Sequence, residues 1–417
     1  SVPPTSPKPS STGASPVADS SPRSTRGIAL LLAALSSLGP FAIDTYLPSF
    51  HEIGSQLNAT PIEVQQTLSA YLLSFAAMTL WHGAISDRFG RRRVILVALA
   101  LFAGASAGCA LANSIGQLWF WRAMQGITAG AGIVISRAIV RDLFDGAAAQ
   151  RLMAQITMMF ALAPAIAPLI GGQLQNWLGW RAVFAFLVGA TVALGLACWK
   201  LLPETLPPEK RQPFKPRYLL DTYRKVLTTP SFLYACGGLA ANFCGFFVYV
   251  LSAPVFLMNH LGLPETAFLW LFGPSMCGLM SGSWVTGRFL AGKRTPEAAV
   301  TYGYVVMGSA ALLNVVINLT LPPGVPWNVI PIFIYTFGMA LTTPSLTLFA
   351  LDNFPAQRGL AASCQTFLQA GFNGIVAAVI APLVWGSTLS LALAMAAFVS
   401  LGALSSYLQR RSTLLPR

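Results

Sequence analysis

The sequence predicts an all-α membrane protein of twelve transmembrane helices in two six-helix halves, and three observations carry that prediction. The chain is 55% hydrophobic and 9% charged over 417 residues, with a mean hydropathy of +0.63. Such a balance leaves too little polar surface to cover a water-soluble globule. Its apolar residues fall in runs close to the ~20 residues that a helix needs to cross a bilayer. Those runs are apolar on every face, as in "VILVALALFAGASAGCALA", whereas strands of a membrane barrel alternate apolar and polar residues.

Taken in order, residues 1–26 are rich in Ser, Pro and Thr with almost no apolar content, which predicts a disordered tail. The apolar run that follows is too long, and too poor in a small-residue cleavage pattern, for a removable signal peptide. Spans are expected at roughly 27–50, 64–82, 94–113, 116–138, 152–172, 180–200, 230–258, 266–290, 298–320, 328–350, 359–383 and 388–408. The longest polar interruption, rich in Pro and charge, divides them six and six. Residues 201–229 are therefore expected to link a half at 27–200 to a half at 230–408, with 409–417 as a second tail.

Lys and Arg concentrate in cytoplasmic loops. With the N-terminus inside, every basic residue except Arg181 and Arg122 falls on that side, so both termini are expected to be cytoplasmic. Topology then accounts for the net charge of +13. A nucleic-acid partner is not expected, because a phosphate-binding surface would gather its charge on one soluble face. The six cysteines lie in apolar runs without C-x-x-C spacing, so neither disulfides nor zinc are expected. Three histidines at span ends lack metal-ligand spacing. No cofactor, no metal and no enzymatic activity are expected, since membrane chemistry needs clustered acid, base or metal groups.

An offset of 200 residues lays "SDRFGRRR" (86–93) beside "TGRFLAGK" (286–293), each after the second span of its half. That placement is what a repeat of six spans requires. The first copy carries G-x-x-x-D-R-x-G-R-R, standing as Gly83, Asp87, Arg88, Gly90, Arg91 and Arg92, and it resembles the signature loop of the major facilitator superfamily. A bland inner loop would collect arginines, but not an acid and two glycines at fixed offsets. The resemblance implies a gate, in which Asp87 pairs with a basic residue across the halves and accepts N–H groups at a neighbouring helix N-terminus.

Two further stretches resemble the drug/proton antiporter branch of that superfamily. "RAMQGITAG" in span four carries Arg122, Gln125, Gly126 and Gly130, the glycines forming a G-x-x-x-G face. "APAIAPLIGG" in span five carries Pro164, Pro168, Gly171 and Gly172, with Ala167 where the branch has glycine. The opening "GPFAIDTYLPSF" at 39–50 is similar to the bicyclomycin/chloramphenicol-resistance exporters of bacteria. The resemblance implies alternating access in the bacterial inner membrane, with a lipophilic drug-like substrate and protons as partners of a monomer.

Asp44 is the single residue among the 13 acids expected inside a span. A carboxylate at mid-membrane costs on the order of 2.5–3.5 kcal/mol on insertion scales, which makes it a candidate functional group. Arg122 is expected at a similar depth, counting about 1.5 Å per residue, where a proton and the guanidinium would compete for one carboxylate. A substrate cavity between the halves is expected from Tyr46, Tyr71, Gln125, Asn242, Phe243, Phe246, Phe247 and Tyr249. These groups point to a proton-coupled drug exporter. A proton-coupled metabolite importer and a non-transporting membrane receptor are the alternatives.

Overall fold

The structure is a computed structural model that describes residues 22–144, 152, 163, 166–264, 266–290, 293–354 and 358–414. Within them it is helical, with no strand. The first span is interrupted: α1 (Pro22–Asp44) ends at Asp44, the chain makes a 3₁₀ turn (Leu47–Ser49), and α2 (Phe50–Gln56) resumes. Pro48 lacks the N–H needed to continue the ladder of α1. Thr45 Oγ1 turns back to donate to the Phe41 carbonyl at 2.7 Å.

The next helix, α3 (Pro61–Phe89), opens on a capping box between Thr60 and Glu63. α4 (Arg91–Ala110) follows it after one residue, Gly90, whose φ of +96° belongs to the region that favours glycine. Ser114 caps α5 (Ile115–Leu143) by accepting from the Gln117 amide at 3.3 Å. Helix α6 (166–178) leads through Gly179, again with positive φ at +81°, into α7 (Trp180–Leu201).

The expected linker is partly ordered as an amphipathic helix, α8 (Pro216–Leu227). Pro216 suits a first helical position, and Leu219, Thr222, Tyr223 and Val226 are buried along one face. The Tyr223 hydroxyl donates to the Leu80 carbonyl of α3 at 2.6 Å, so the linker is docked on the first six spans. The remaining helices are α9 (Pro230–Leu251), α10 (Leu269–Val285), α11 (Pro296–Thr320), α12 (Ile330–Leu351), α13 (Arg358–Ile375), α14 (Ala381–Val384) and α15 (Thr388–Leu414).

Ten stretches among the described residues are long and apolar enough to cross a membrane. Of the other two expected spans, the fifth is described mainly at α6, and the eighth, α10, has 17 residues before passing into a π-helical turn at Thr286–Leu290. The packing repeats. In the first six spans α1 lies on α5 and α7, α3 on α5, and α4 on α5 and α7. Six spans later α9 lies on α12 and α15, α10 on α12, and α11 on α12 and α15. Gly126 of α5 meets the Tyr71 carbonyl and Ser74 of α3, as Gly278 of α10 meets the Phe333 carbonyl and Thr336 of α12. Between the two sets, α3 runs along α13, with Gln66 Nε2 donating to the Ala378 carbonyl at 2.9 Å.

Candidate functional site

Asp44 stands at the break in span one and is 4% exposed. Among the described residues it is the one buried acid. Arg122 is fully buried on the adjacent α5. The expected Asp44–Arg122 pair is not made: the ion pairs among the described residues both belong to Arg91. Arg122 instead lies between two tyrosine rings, its guanidinium carbon 4.6 Å from the Tyr46 centroid and 4.5 Å from that of Tyr71. Nη1 donates to the Ala42 carbonyl at 3.2 Å and to Gln125 Oε1 at 2.7 Å, and Gln125 Nε2 donates to Ser106 Oγ at 2.7 Å. Ring faces stabilise a desolvated cation by about 2 kcal/mol, which offsets part of the burial cost that a carboxylate partner would otherwise have to meet. Nε and Nη2 have no partner among the described residues.

Both tyrosines are fixed from behind. The Tyr71 hydroxyl donates to the Gly39 carbonyl at 3.0 Å, and the Tyr46 hydroxyl bonds Thr67 Oγ1 of α3. Tyr46, Tyr71 and Gln125 therefore build the cage of Arg122 among α1, α3 and α5. Hydropathy and spacing could not reveal this, because a tyrosine that clamps a cation and one that faces a ligand have the same sequence signature.

Of the span-five residues, Gly171 meets the same break. A Cβ on Gly171 would overlap the Thr45 carbonyl, and Gly172 and Pro168 are also buried. Pro164 lies outside the described residues. In span four, Gly130 sits against His82 and Thr79 of α3.

At the arginine-rich end, Asp87 pairs with Arg91 Nη1 at 2.6 Å within its own loop, and the Asp87 carbonyl accepts from the Gln212 amide at 3.1 Å. Arg91 Nε reaches Asp142 Oδ2 at 3.2 Å, and its Nη1 donates to Ser86 Oγ at 2.5 Å. The acceptor at the start of α4 is Glu204, whose Oε1 takes the Arg91 amide at 2.9 Å. The charge partner of Asp87 is thus four residues away, and Glu204 takes the amide at the start of α4. Gly83 packs near Val134, Arg92 bonds the Trp199 carbonyl, and a Cβ on Gly90 would press on Glu204 and Arg211. Arg88 heads the basic last turn of α3. Asp142 and Glu204 were legible only as acids at span ends.

Two of the second-half candidates, Asn242 and Tyr249, bond within their own bundle. Asn242 Nδ2 donates to the Tyr304 hydroxyl at 3.0 Å, Tyr304 pairs with Ser406 at 2.7 Å, and the Tyr335 hydroxyl donates to the Asn242 carbonyl at 2.9 Å. The Tyr249 hydroxyl accepts from Asn314 Nδ2 at 2.7 Å. Asn242 and Tyr249 thus tie α9 to α11 and α12. Phe246 and Phe247 are buried, and half-buried Phe243 stacks on Phe247 with centroids 5.1 Å apart. Two cavities open between the first and last six spans. One of about 330 Å³ near α2 is lined by Phe50, His51, Met258 and Trp385, and one of about 290 Å³ near the loop is lined by Asp87, Arg137, Arg141 and Tyr223.

Residues 28–378 match the Major Facilitator Superfamily. The chain is 37% identical over 324 residues to the uncharacterized MFS-type transporter YdgK of Bacillus subtilis, a match covering 76% of this chain and 79% of that one. It is 31% identical over 263 residues to a bicyclomycin resistance protein homolog of Haemophilus influenzae, covering 63% and 66%. It is 30% identical over 361 residues to multidrug resistance protein D of Escherichia coli, covering 85% and 88%. The fold superposes on the POT family transporter PepTSo with a TM-score of 0.74 at 15% identity, covering 94% of this chain and 98% of that one. With the repeated packing of its spans, the signature loop at 83–92 and a family match over most of its length, the chain belongs to the Major Facilitator Superfamily of multi-pass membrane transporters.

Proposed function

We propose that this transporter sits in the bacterial inner membrane with both termini cytoplasmic and exports drug-like molecules in exchange for protons. Relatives named for resistance to bicyclomycin and to multiple drugs support the cargo. Support for coupling comes from Asp44, buried at a helix break in a span and without an ion-pair partner among the described residues. A carboxyl so placed is suited to take a proton from one side and release it to the other. Open outward, Asp44 gains a proton and substrate leaves. Open inward, it loses the proton and substrate binds. Loop 83–92, braced by Arg91, Asp142 and Glu204, acts as the inner gate.

The test is Asp44→Asn in proteoliposomes with an imposed pH gradient. Proton-driven drug efflux should fall below about a tenth of wild type, the scale of losing an essential proton carrier, while the protein stays inserted and monodisperse. Undiminished efflux by this variant would refute Asp44 as the coupling group.

A further inference from the structure

The cavity of about 290 Å³ at the arginine-rich end has an unusual charge balance. Its lining carries Asp87, Arg91, Arg137 and Arg141, together with Tyr223. Asp87 is taken by Arg91, which also holds Asp142. Tyr223 spends its hydroxyl proton on the Leu80 carbonyl. Arg137 and Arg141 make no ion pair among the described residues, so the lining holds two guanidiniums in excess.

Both arginines are exposed and line the cavity from a helix rather than from a loop. They stand four residues apart on α5, hence on one face, and that face lines the space between the first six spans and α13. Like charges at this spacing repel, so an anion held between them is favoured. The opposite wall adds Ser363, the Thr366 hydroxyl being spent on the Ala362 carbonyl at 2.9 Å, and Ile133, Leu219 and Leu360 supply apolar surface. Forked guanidinium donors match a carboxylate or another oxyanion. Apolar walls beside them match a hydrocarbon or aromatic body.

We propose that this cavity is an entry subsite for anionic amphiphiles, in which Arg137 and Arg141 bind the acid group of a cargo whose apolar body lies against Leu219 and Leu360. The inference rests on the export reading above and adds a cargo class to it: molecules with one carboxylate, sulfonate or phosphate group on an apolar frame. A bilayer phospholipid offers the same headgroup chemistry, so the test separates the two sources.

Full-length protein in phosphatidylcholine nanodiscs is titrated calorimetrically with 2-naphthoate and with its neutral analogue 2-naphthamide, and the ratio of the two affinities is the readout. Wild type should favour naphthoate by about tenfold or more, as a charge-assisted forked contact allows. The ratio should approach one in Arg137→Gln/Arg141→Gln, recover in part in Arg137→Lys/Arg141→Lys, and shrink between about 50 and about 500 mM salt. A wild-type ratio near one, or a ratio unchanged by the glutamine pair in protein that elutes as wild type does, overturns the proposal. Nanodiscs containing phosphatidylglycerol supply the second arm. If that lipid displaces naphthoate from wild type but not from the glutamine pair, the subsite belongs to lipid and the cargo assignment falls. Proton-driven efflux is scored separately: efflux of naphthamide without a naphthoate preference overturns the subsite and leaves export standing. Absence of efflux for both probes overturns export, and the binding ratio still decides the anion site.

Discussion

Gly171 of α6 lies against the backbone carbonyl of Thr45, the residue after Asp44, in a space that no Cβ can enter. The glycine-bearing end of span five is thereby seated on the break in span one, so a shift of either reaches Asp44 directly. Close approach of this kind is what small residues at helix crossings provide. Gly171→Ala should displace α6, lower the melting temperature by several degrees and cut proton-driven efflux about tenfold or more, since small misplacements near a reacting group are costly. Gly189→Ala, where no atom approaches within 4 Å, is the control. Unaltered efflux and melting in Gly171→Ala would show that the contact is loose.

Arg122 is held by two ring faces and by two acceptors on one nitrogen. A lysine keeps the charge but loses the planar fork and the stacking surface. Arg122→Lys should therefore fail to restore transport that Arg122→Met abolishes, and both should unfold at lower temperature than wild type. Thermal unfolding with efflux assays in proteoliposomes checks this, and full function of the lysine variant would reduce the cage to a counter-charge.

Tyr71→Phe removes the donor to the Gly39 carbonyl and leaves the ring. The loss should be about 1 kcal/mol of stability, the usual net worth of one hydrogen bond, with the stacking of Arg122 retained. Tyr71→Leu removes the ring as well and should cost more by up to about 2 kcal/mol. Equal losses in the two variants would mean that the ring face contributes nothing.

In the loop after span two, Asp87→Asn leaves Arg91 with Asp142, whereas Asp87→Asn/Asp142→Asn leaves it with neither acid. The double variant should open the inner mouth markedly more than the single, read as the labelling rate of a cysteine introduced at Ser363. Glu204→Gln, which weakens the charge at the start of α4, should add to the rate. Equal labelling in wild type and the double variant would remove this network from gating.

Helix α7 offers an independent check at the opposite end. Glu52 Oε2 accepts from the Trp180 amide at 3.0 Å, directly after Gly179. Glu52→Gln should lower the melting temperature slightly without changing labelling at Ser363, because the contact serves the fold of the first bundle. A change in labelling would tie both ends of the transporter together.

The sequence by itself determined the membrane class, most of the spans, the charged loop after span two and the burial of Asp44 within a span. All of these follow from the cost of placing charge or unpaired backbone in hydrocarbon, which is strong enough to be legible in a single chain. Partner choice is different. Arg122 was legible as a buried cation, but whether it meets a carboxylate or two tyrosines depends on how α1, α3 and α5 rotate against each other. Asp87 likewise carried no sign that its cation would be Arg91, or that Glu204, distant in sequence, would take the start of α4. Aromatic and amide residues such as Tyr46, Gln125 and Asn242 have one composition whether they face a cavity or a neighbouring helix. Only the packing of the helices sets which way each points, because that choice is made by contacts between residues far apart in the chain.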